Sequence, residues 1–90
     1  MKDSRLEELR QQIDSLDESL VEMLARRFRL TDEIGRLKKA LNLPWVDAAR
    51  EQEQRLAVQR LAKQHGLSEE IAMKVMRVVI DEVIANHRRI

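Results

Sequence analysis

The most regular feature of the chain is a repeat of apolar residues in its first half. They recur at alternating steps of three and four from Leu6 to Leu41, which is the pattern of a helix that buries one stripe. We call this set the α1 stripe: Leu6, Leu9, Ile13, Leu16, Leu20, Met23, Arg27, Leu30, Ile34, Leu37 and Leu41. The pattern predicts a helix over about residues 5–41, capped by Asp3 or Ser4 and ended before Pro44.

The length of this predicted helix has a consequence for assembly. At about 1.5 Å per residue the helix is about 55 Å long. A compact domain of 90 residues has a radius of gyration of about 12 Å and a diameter near ~30 Å. Its own chain therefore cannot cover the α1 stripe, and we predict that a second copy does so in an intertwined helical homodimer.

Two shorter helices are predicted after Pro44. The second begins at its N-cap Asp47 and runs to about His65, where Gly66 permits a left-handed stop, and Ser68 caps the third. The second helix has a weak apolar face, made of Ala49, Leu56, Ala57, Leu61 and Ala62. The third has a stronger buried stripe, made of Ala72, Met76, Val79, Ile80, Val83 and His87. The fold class predicted is all-α, with residues 1–90 forming a single domain of one long, one short and one medium helix.

Composition narrows the possible functions. Aromatic residues make up only 2% of the chain, so a single copy builds a thin core, which again favours association. A net charge of +1 argues against nucleic-acid binding, which usually requires a clear basic excess. The chain has no cysteine and no apolar run near the ~18 residues that a membrane span needs. The N-terminal "MKDSRLEELRQQ" lacks the apolar core of a secretory signal. We expect a soluble cytoplasmic protein with no membrane partner.

Two polar residues interrupt the apolar stripes, Arg27 in the first helix and His87 in the third. A buried cation is destabilising by several kcal/mol unless it is paired. One interpretation is that Arg27 meets a structural glutamate or lies where the stripe frays; the other is that it binds an anionic ligand. His87 lies near the chain end, where a cation also suits the helix dipole.

Helical geometry relates three cations of the first helix. Lys38 lies about 20° round the helix from Arg27 and about 16 Å along it, so both point the same way. Arg10 lies about 25 Å from Arg27 and about 100° away, so the two cannot share a small ligand within one chain. In an antiparallel or crossed dimer, Arg10 of one chain could instead approach the middle of the other.

The start of the second helix, "VDAAREQE", adds further polar groups. In the structural interpretation, Asp47 and Glu51 are acids that the helix dipole favours in a first turn. In the functional interpretation, Arg50 supplies a cation, and a carboxylate beside it accepts hydrogen bonds from a hydroxyl of the substrate. The ligand suggested is small, dianionic and hydroxylated. There is no nucleophile–base pair, metal-ligand spacing or phosphate loop, so we expect neither a metal nor a cofactor.

The segment "LEELRQQIDSLDESLVEMLARRFRLTDEIGRLKK", followed by "P" and "DAARE", resembles the all-helical class of chorismate mutase. The resemblance extends from about Leu6 to Arg88, and its motifs are specific as a set: "LR", "ID-LD", a central Arg, G-x-x-K and D-x-x-RE. It implies a three-helix chain that dimerises through its long first helix. It also implies roles for three cations: Arg27 and the partner chain's Arg10 bind the two carboxylates of chorismate, and Lys38 contacts a carboxylate and the ether oxygen.

The same resemblance implies roles in the second and third helices. Asp47 and Glu51 position the ring hydroxyl, and Arg50 lines the pocket, partly through its backbone. His87 stands where many members carry a Gln that donates to the ether oxygen. Val83 stands where some carry a Ser that assists with a carboxylate. These two departures bear on activity and on substrate.

The reaction implied is the conversion of chorismate to prephenate, a one-substrate isomerisation in the biosynthesis of Phe and Tyr. It needs no acid, nucleophile, metal or cofactor, which agrees with the residues present. Two related activities stay open on this scaffold because His87 stands in place of Gln: an isochorismate pyruvate lyase and a 4-amino-4-deoxychorismate mutase. Glu51 does not decide between them, since it suits a hydroxyl or an amine. A non-catalytic helical dimerisation module, in which Arg27 is only salt-bridged, is the alternative of another class.

Overall fold

The computed structural model describes residues 3–89, and this range contains three helices and no strand. Helix α1 spans Ser4–Ala40, α2 spans Ala48–Gln64 and α3 spans Glu69–Arg89. The all-α prediction is therefore confirmed, with helix ends close to those predicted. Residues 1, 2 and 90 of the predicted domain lie outside the described residues.

Capping by Asp3 sets the start of α1. Its Oδ1 accepts hydrogen bonds from the backbone N–H groups of Arg5 at 2.9 Å and Leu6 at 3.3 Å. These N–H groups have no acceptor inside the helix, so a side-chain oxygen at this position stabilises the first turn. Of the two caps predicted, Asp3 is the one that acts.

The end of α1 is set by Asn42, which adopts a left-handed conformation with φ 57°. The N–H of Leu43 donates to the carbonyl oxygen of Lys38 at 2.8 Å, and that of Asn42 donates to Lys39 at 3.2 Å. This pair of bonds is a Schellman motif, which satisfies the last carbonyls of a helix. The helix is thus already closed before Pro44, the residue from which its end was predicted.

Helix α2 ends in the same motif, with Gly66 at φ 68° in the left-handed position. The N–H of Leu67 donates to Ala62 at 2.8 Å and that of Gly66 donates to Lys63 at 3.3 Å. Glycine adopts this conformation without a steric penalty. The predicted stop is confirmed, and the short connection that follows leads directly to Ser68, whose Oγ accepts from the backbone N–H of Ile71 at 3.4 Å.

The apolar members of the α1 stripe are exposed along its whole length. Its apolar members have exposed fractions from 41% at Leu9 to 68% at Leu16. Contiguous apolar surface of this extent is unusual on a monomeric soluble protein and typically marks an interaction site. A single chain therefore leaves the stripe uncovered, and its burial by a second copy stays a prediction.

The chain divides between Thr31 and Asp32 into two compact units. The first unit consists of the N-terminal part of α1. The second contains the C-terminal part of α1 together with α2 and α3, which pack against each other as an antiparallel pair. The core of this second unit is formed by Ala62, Ala72 and Val79, all buried.

The apolar face predicted for α3 agrees with the burial of its residues better than the face predicted for α2 does. In α3 the predicted stripe is confirmed: its members are buried or half-buried, ending with His87 at 4% exposure. In α2 the predicted face is partly wrong, because Leu56 and Leu61 are exposed, as is Ala49. The less exposed row of α2 instead steps by four residues: Gln54, Val58 and Ala62. A polar Gln in this row conceals it from a search for apolar periodicity.

Candidate active site

Lys38 lies against the chain segment that leads into α2. Its Nζ donates a hydrogen bond to the backbone carbonyl oxygen of Trp45 at 3.2 Å. Trp45 comes just before the N-cap Asp47, so this contact brings the Lys38 ammonium to the start of α2. An ammonium has three N–H donors, and the carbonyl of Trp45 uses one of them. The remaining donors leave Lys38 able to bind an anion at the same time.

The carboxylate of Asp47 forms the N-terminal cap of α2. Its Oδ1 accepts from the backbone N–H of Arg50 at 3.1 Å, and its carbonyl oxygen accepts from Glu51 at 3.0 Å. The side chain of Arg50 is exposed and pairs with Glu53, with Nη1 and Oε2 separated by 3.2 Å. Exposed pairs of this kind contribute little to stability. Asp47 therefore has the structural role expected of its position, and Arg50 presents its backbone rather than its guanidinium to the capping carboxylate.

Glu51 lines a groove of about 330 Å³ between α2 and α3. A groove of this size lies at the lower end of the range for small-molecule sites. Its charged lining also includes Arg55, Arg77 and Asp81, and Ile80 contributes apolar surface. Arg55, Arg77 and Asp81 were not among the predicted site residues. The available signal was their spacing, since Glu51 and Arg55, like Arg77 and Asp81, are separated by one helical turn.

Val83 and His87 lie one turn apart on α3. Val83 is half-buried and His87 is buried in the last turn of the helix. The burial of His87 agrees with its predicted place in the buried stripe of the third helix. Next to it, the Nδ2 of Asn86 donates a hydrogen bond to Oδ1 of Asp32 in α1. The last turn of α3 is thus connected to the C-terminal part of α1.

Arg10 and Arg27 belong to the first unit. Arg10 is exposed and its Nη1 lies 3.4 Å from Oε1 of Glu7, one turn earlier. Arg27 is half-buried, and its Nη1 is buried without a hydrogen-bond partner among residues 3–89. A structural glutamate that would satisfy this atom is not found in the described part of the chain. This nitrogen is therefore a buried hydrogen-bond donor without an acceptor in the described part of the chain.

The second unit contains predicted site residues of all three helices. Lys38 contacts Trp45, in the segment that leads to Asp47, Arg50 and Glu51, and Val83 and His87 share the last turns of α3. No three His, Asp or Glu side chains among the described residues are grouped so that they could hold a metal ion. None of the helices described has an apolar stretch long enough to span a membrane.

Comparison with known proteins places the chain in a family. Residues 9–88 match the family described as chorismate mutase type II. A chorismate mutase from Methanocaldococcus jannaschii is 29% identical over 77 residues, which cover 86% of this chain and 78% of that protein.

Two T-proteins are also similar to this chain. The T-protein of Haemophilus influenzae is 32% identical over 84 residues, 93% of this chain and 22% of that protein. The T-protein of Enterobacter agglomerans is 33% identical over 79 residues, 88% of this chain and 21% of that protein. The chain thus spans about a fifth of the length of each T-protein. The family match begins in α1, includes all of α2 and ends at Arg88 in α3, so it covers most of the chain. The chain therefore belongs to the chorismate mutase type II family.

Proposed function

We propose that this chain catalyses the rearrangement of chorismate to prephenate in the biosynthesis of aromatic amino acids. The observation that carries the proposal is the buried Nη1 of Arg27, which has no acceptor among residues 3–89. A buried guanidinium N–H without an acceptor is destabilising. A substrate carboxylate supplies a charged acceptor that matches the geometry of arginine. Membership of the chorismate mutase type II family supports chorismate as the source of that carboxylate.

The reaction requires little from the protein in the way of chemical groups. One bond of the ether breaks as a carbon–carbon bond forms within the same molecule, so no nucleophile or proton transfer is needed. The site must hold the reactive conformer, which is an effect of orientation. It must also place donors where negative charge develops on the ether oxygen. Cations and neutral donors fixed on helices suit both tasks.

We assign the cations as follows. Arg27 binds one carboxylate of the substrate, and the partner chain's Arg10 binds the other. Lys38 contacts a carboxylate and the ether oxygen with the N–H donors that the carbonyl of Trp45 leaves available. The hydrogen bond to Trp45 supports this assignment, because it restricts a flexible side chain before substrate arrives.

The remaining roles fall to α2 and α3. Glu51, which is exposed in the groove between these helices, accepts a hydrogen bond from the ring hydroxyl, and Asp47 assists from the cap. Arg50 contributes through its backbone. His87 donates to the ether oxygen, and the half-buried Val83 provides an apolar wall.

The active form in this proposal is a homodimer in which the α1 stripes of two chains cover one another. The exposure of that stripe from 41% to 68% supports it, because a folded single chain would keep this apolar surface in water. We expect no stable folded monomer, as is common for obligate dimers. Sedimentation over a dilution series tests this, and a helical monomer at micromolar concentration would contradict it. We propose a cytoplasmic location, with no nucleic-acid or membrane partner.

The test of function is an assay of the purified chain with chorismate, followed by identification of the product. We expect loss of chorismate absorbance and formation of prephenate. The same assay with isochorismate and with 4-amino-4-deoxychorismate separates the related activities, since pyruvate release identifies a lyase. A folded dimer that transforms none of the three would favour a non-catalytic dimerisation module.

A further inference from the structure

A side-chain hydrogen bond joins α1 to the end of α3. The amide Nδ2 of Asn86 donates to Oδ1 of Asp32, two residues separated by 54 positions in the sequence. Both side chains are half-buried. A hydrogen bond with an ionised acceptor, partly shielded from water, is stronger and more directional than one between neutral groups.

This hydrogen bond lies in the last turns of α3, beyond the buried apolar residues of that helix. The buried apolar residues of α3 are Ala72 and Val79, and both precede its last two turns. In those last turns the final carbonyl groups accept no hydrogen bond from within the helix, and helix ends of this kind fray. His87 is nevertheless buried, with 4% exposure, so the last turns are held in place, and the hydrogen bond from Asn86 to Asp32 is one contact that holds them.

The position of Asn86 relates it to both site residues of α3. It immediately precedes His87, and it follows Val83 by three residues, which places it on the same side of the helix as Val83. A bond from Asn86 to a fixed point therefore sets the rotation of the last turns about the helix axis. On α1, Gly35 follows Asp32 by three residues and is buried, so this side of α1 is covered in the second unit.

We infer that Asp32 and Asn86 are positioning residues, whose hydrogen bond holds the last turns of α3 so that His87 presents its donor to the substrate. The inference rests on the proposed function, since it assigns a purpose to the placement of His87 in that reaction. Neither residue contacts the reacting atoms in this account. They act through the orientation of His87.

The test compares Asn86→Ala and Asp32→Ala with a variant that exchanges the two residues, Asp32→Asn with Asn86→Asp. The exchanged pair re-forms the hydrogen bond with donor and acceptor reversed. Misplacement of a catalytic group by about 1 Å costs up to about 10²-fold in rate. We expect kcat to fall about 10- to 100-fold in each single variant with KM changed little, because the donor to the ether oxygen acts mainly in the transition state. The exchanged variant should recover most of the lost kcat.

Glu82→Ala is the matched control. Glu82 is an exposed carboxylate on α3 that lies 3.9 Å from Arg89 in the last turn, so the variant removes a polar contact of the same turn without affecting Asp32. We expect its kcat to equal that of the wild type. Single variants with wild-type kcat, or an exchanged variant that is folded but recovers nothing, would overturn the inference. If a single variant does not fold, the kcat of the exchanged variant alone tests the inference: a value near that of the wild type supports it, and a low value in a folded protein overturns it.

A second readout separates this inference from the proposed function. The imidazole resonances of His87 in NMR spectra report its environment whether or not the chain has activity. In Asn86→Ala we expect them to shift and to exchange faster with solvent, and in the exchanged variant to return toward the wild type. If the wild type leaves chorismate unchanged but these shifts occur, the proposed function fails and the positioning of His87 stands. Unshifted resonances in Asn86→Ala would overturn the positioning role itself.

Discussion

The Nζ of Lys38 donates a hydrogen bond to the backbone carbonyl oxygen of Trp45 at 3.2 Å. This contact joins the last turn of α1 to the segment that leads into the cap of α2. Because the acceptor is a backbone atom, the contact depends on the lysine and not on the indole. The two residues therefore differ in how substitution should affect the site.

We predict that Lys38→Met strongly lowers chorismate turnover whereas Trp45→Ala does not. Loss of one preorganised donor to developing charge typically reduces kcat by about 10²–10³. Trp45→Ala keeps the carbonyl that holds Lys38, and exposed substitutions usually change free energies by about 0.5 kcal/mol or less. Steady-state kinetics of the two variants check this. Equal losses in both would contradict the prediction, because the indole would then serve the site as much as the ammonium does.

His87→Gln should keep much of the chorismate turnover, whereas His87→Ala should lose most of it. A neutral imidazole and the amide of Gln can each donate a hydrogen bond to the ether oxygen, but the methyl group of Ala cannot. Loss of one preorganised donor typically reduces kcat by about 10²–10³. Steady-state kinetics of the two variants check this. A His87→Ala variant with the kcat of the wild type would remove His87 from the site.

Gly66→Ala should destabilise the fold by about 1 kcal/mol, because a residue with a Cβ is strained at positive φ. Nothing lies within 4 Å of a Cβ built on Gly66, where φ is +68°, so the penalty comes from the backbone alone. Gly66→Asn is the control, since Asn tolerates this conformation better. Urea unfolding at a fixed chain concentration measures the difference. An Ala variant as stable as the wild type would be incompatible with a left-handed stop at this position.

These elements show what the sequence could predict. The caps at Asp47, Ser68 and Gly66 act through atoms a few residues away, so local patterns were sufficient to locate the helix ends. The face of α2 was only partly predicted, because Gln54 occupies its less exposed row. Long apolar periodicity indicated α1 and its uncovered stripe, but not the Schellman motif at Asn42 that ends it.

The sequence predicted which residues belong to the candidate site, but not the contacts between them. Arg27 and His87 were identified because they interrupt apolar stripes, and Lys38 because helical geometry places it near the azimuth of Arg27. The contacts that arrange them could not be predicted in this way. The hydrogen bond of Asn86 to Asp32 spans 54 positions, and it exists only once α3 has packed in the second unit.

A shared site predicts complementation between two inactive variants. Arg10→Ala and Arg27→Ala should each lose most activity as pure dimers. If Arg10 of one chain serves the site of its partner, a mixed dimer contains one site with both arginines and one site with neither. We expect mixing with subunit exchange to restore part of the wild-type turnover. Absence of recovery after exchange has been demonstrated by mass spectrometry would refute a site shared between chains.

In the proposed function, Arg27 interrupts the α1 stripe because it binds the substrate and not because it supports the fold. The most direct test is the kcat/KM of Arg27→Ala for chorismate, measured beside its thermal unfolding and its sedimentation. Arg26→Ala is the matched control, since Arg26 is an exposed arginine one position away on the same helix.

We predict that Arg27→Ala remains a folded dimer while its kcat/KM falls by about 10²–10³, or roughly 3–4 kcal/mol of transition-state stabilisation. Arg26→Ala should retain the activity of the wild type. An Arg27→Ala variant that keeps its turnover but loses thermal stability would contradict the account and make Arg27 a structural residue.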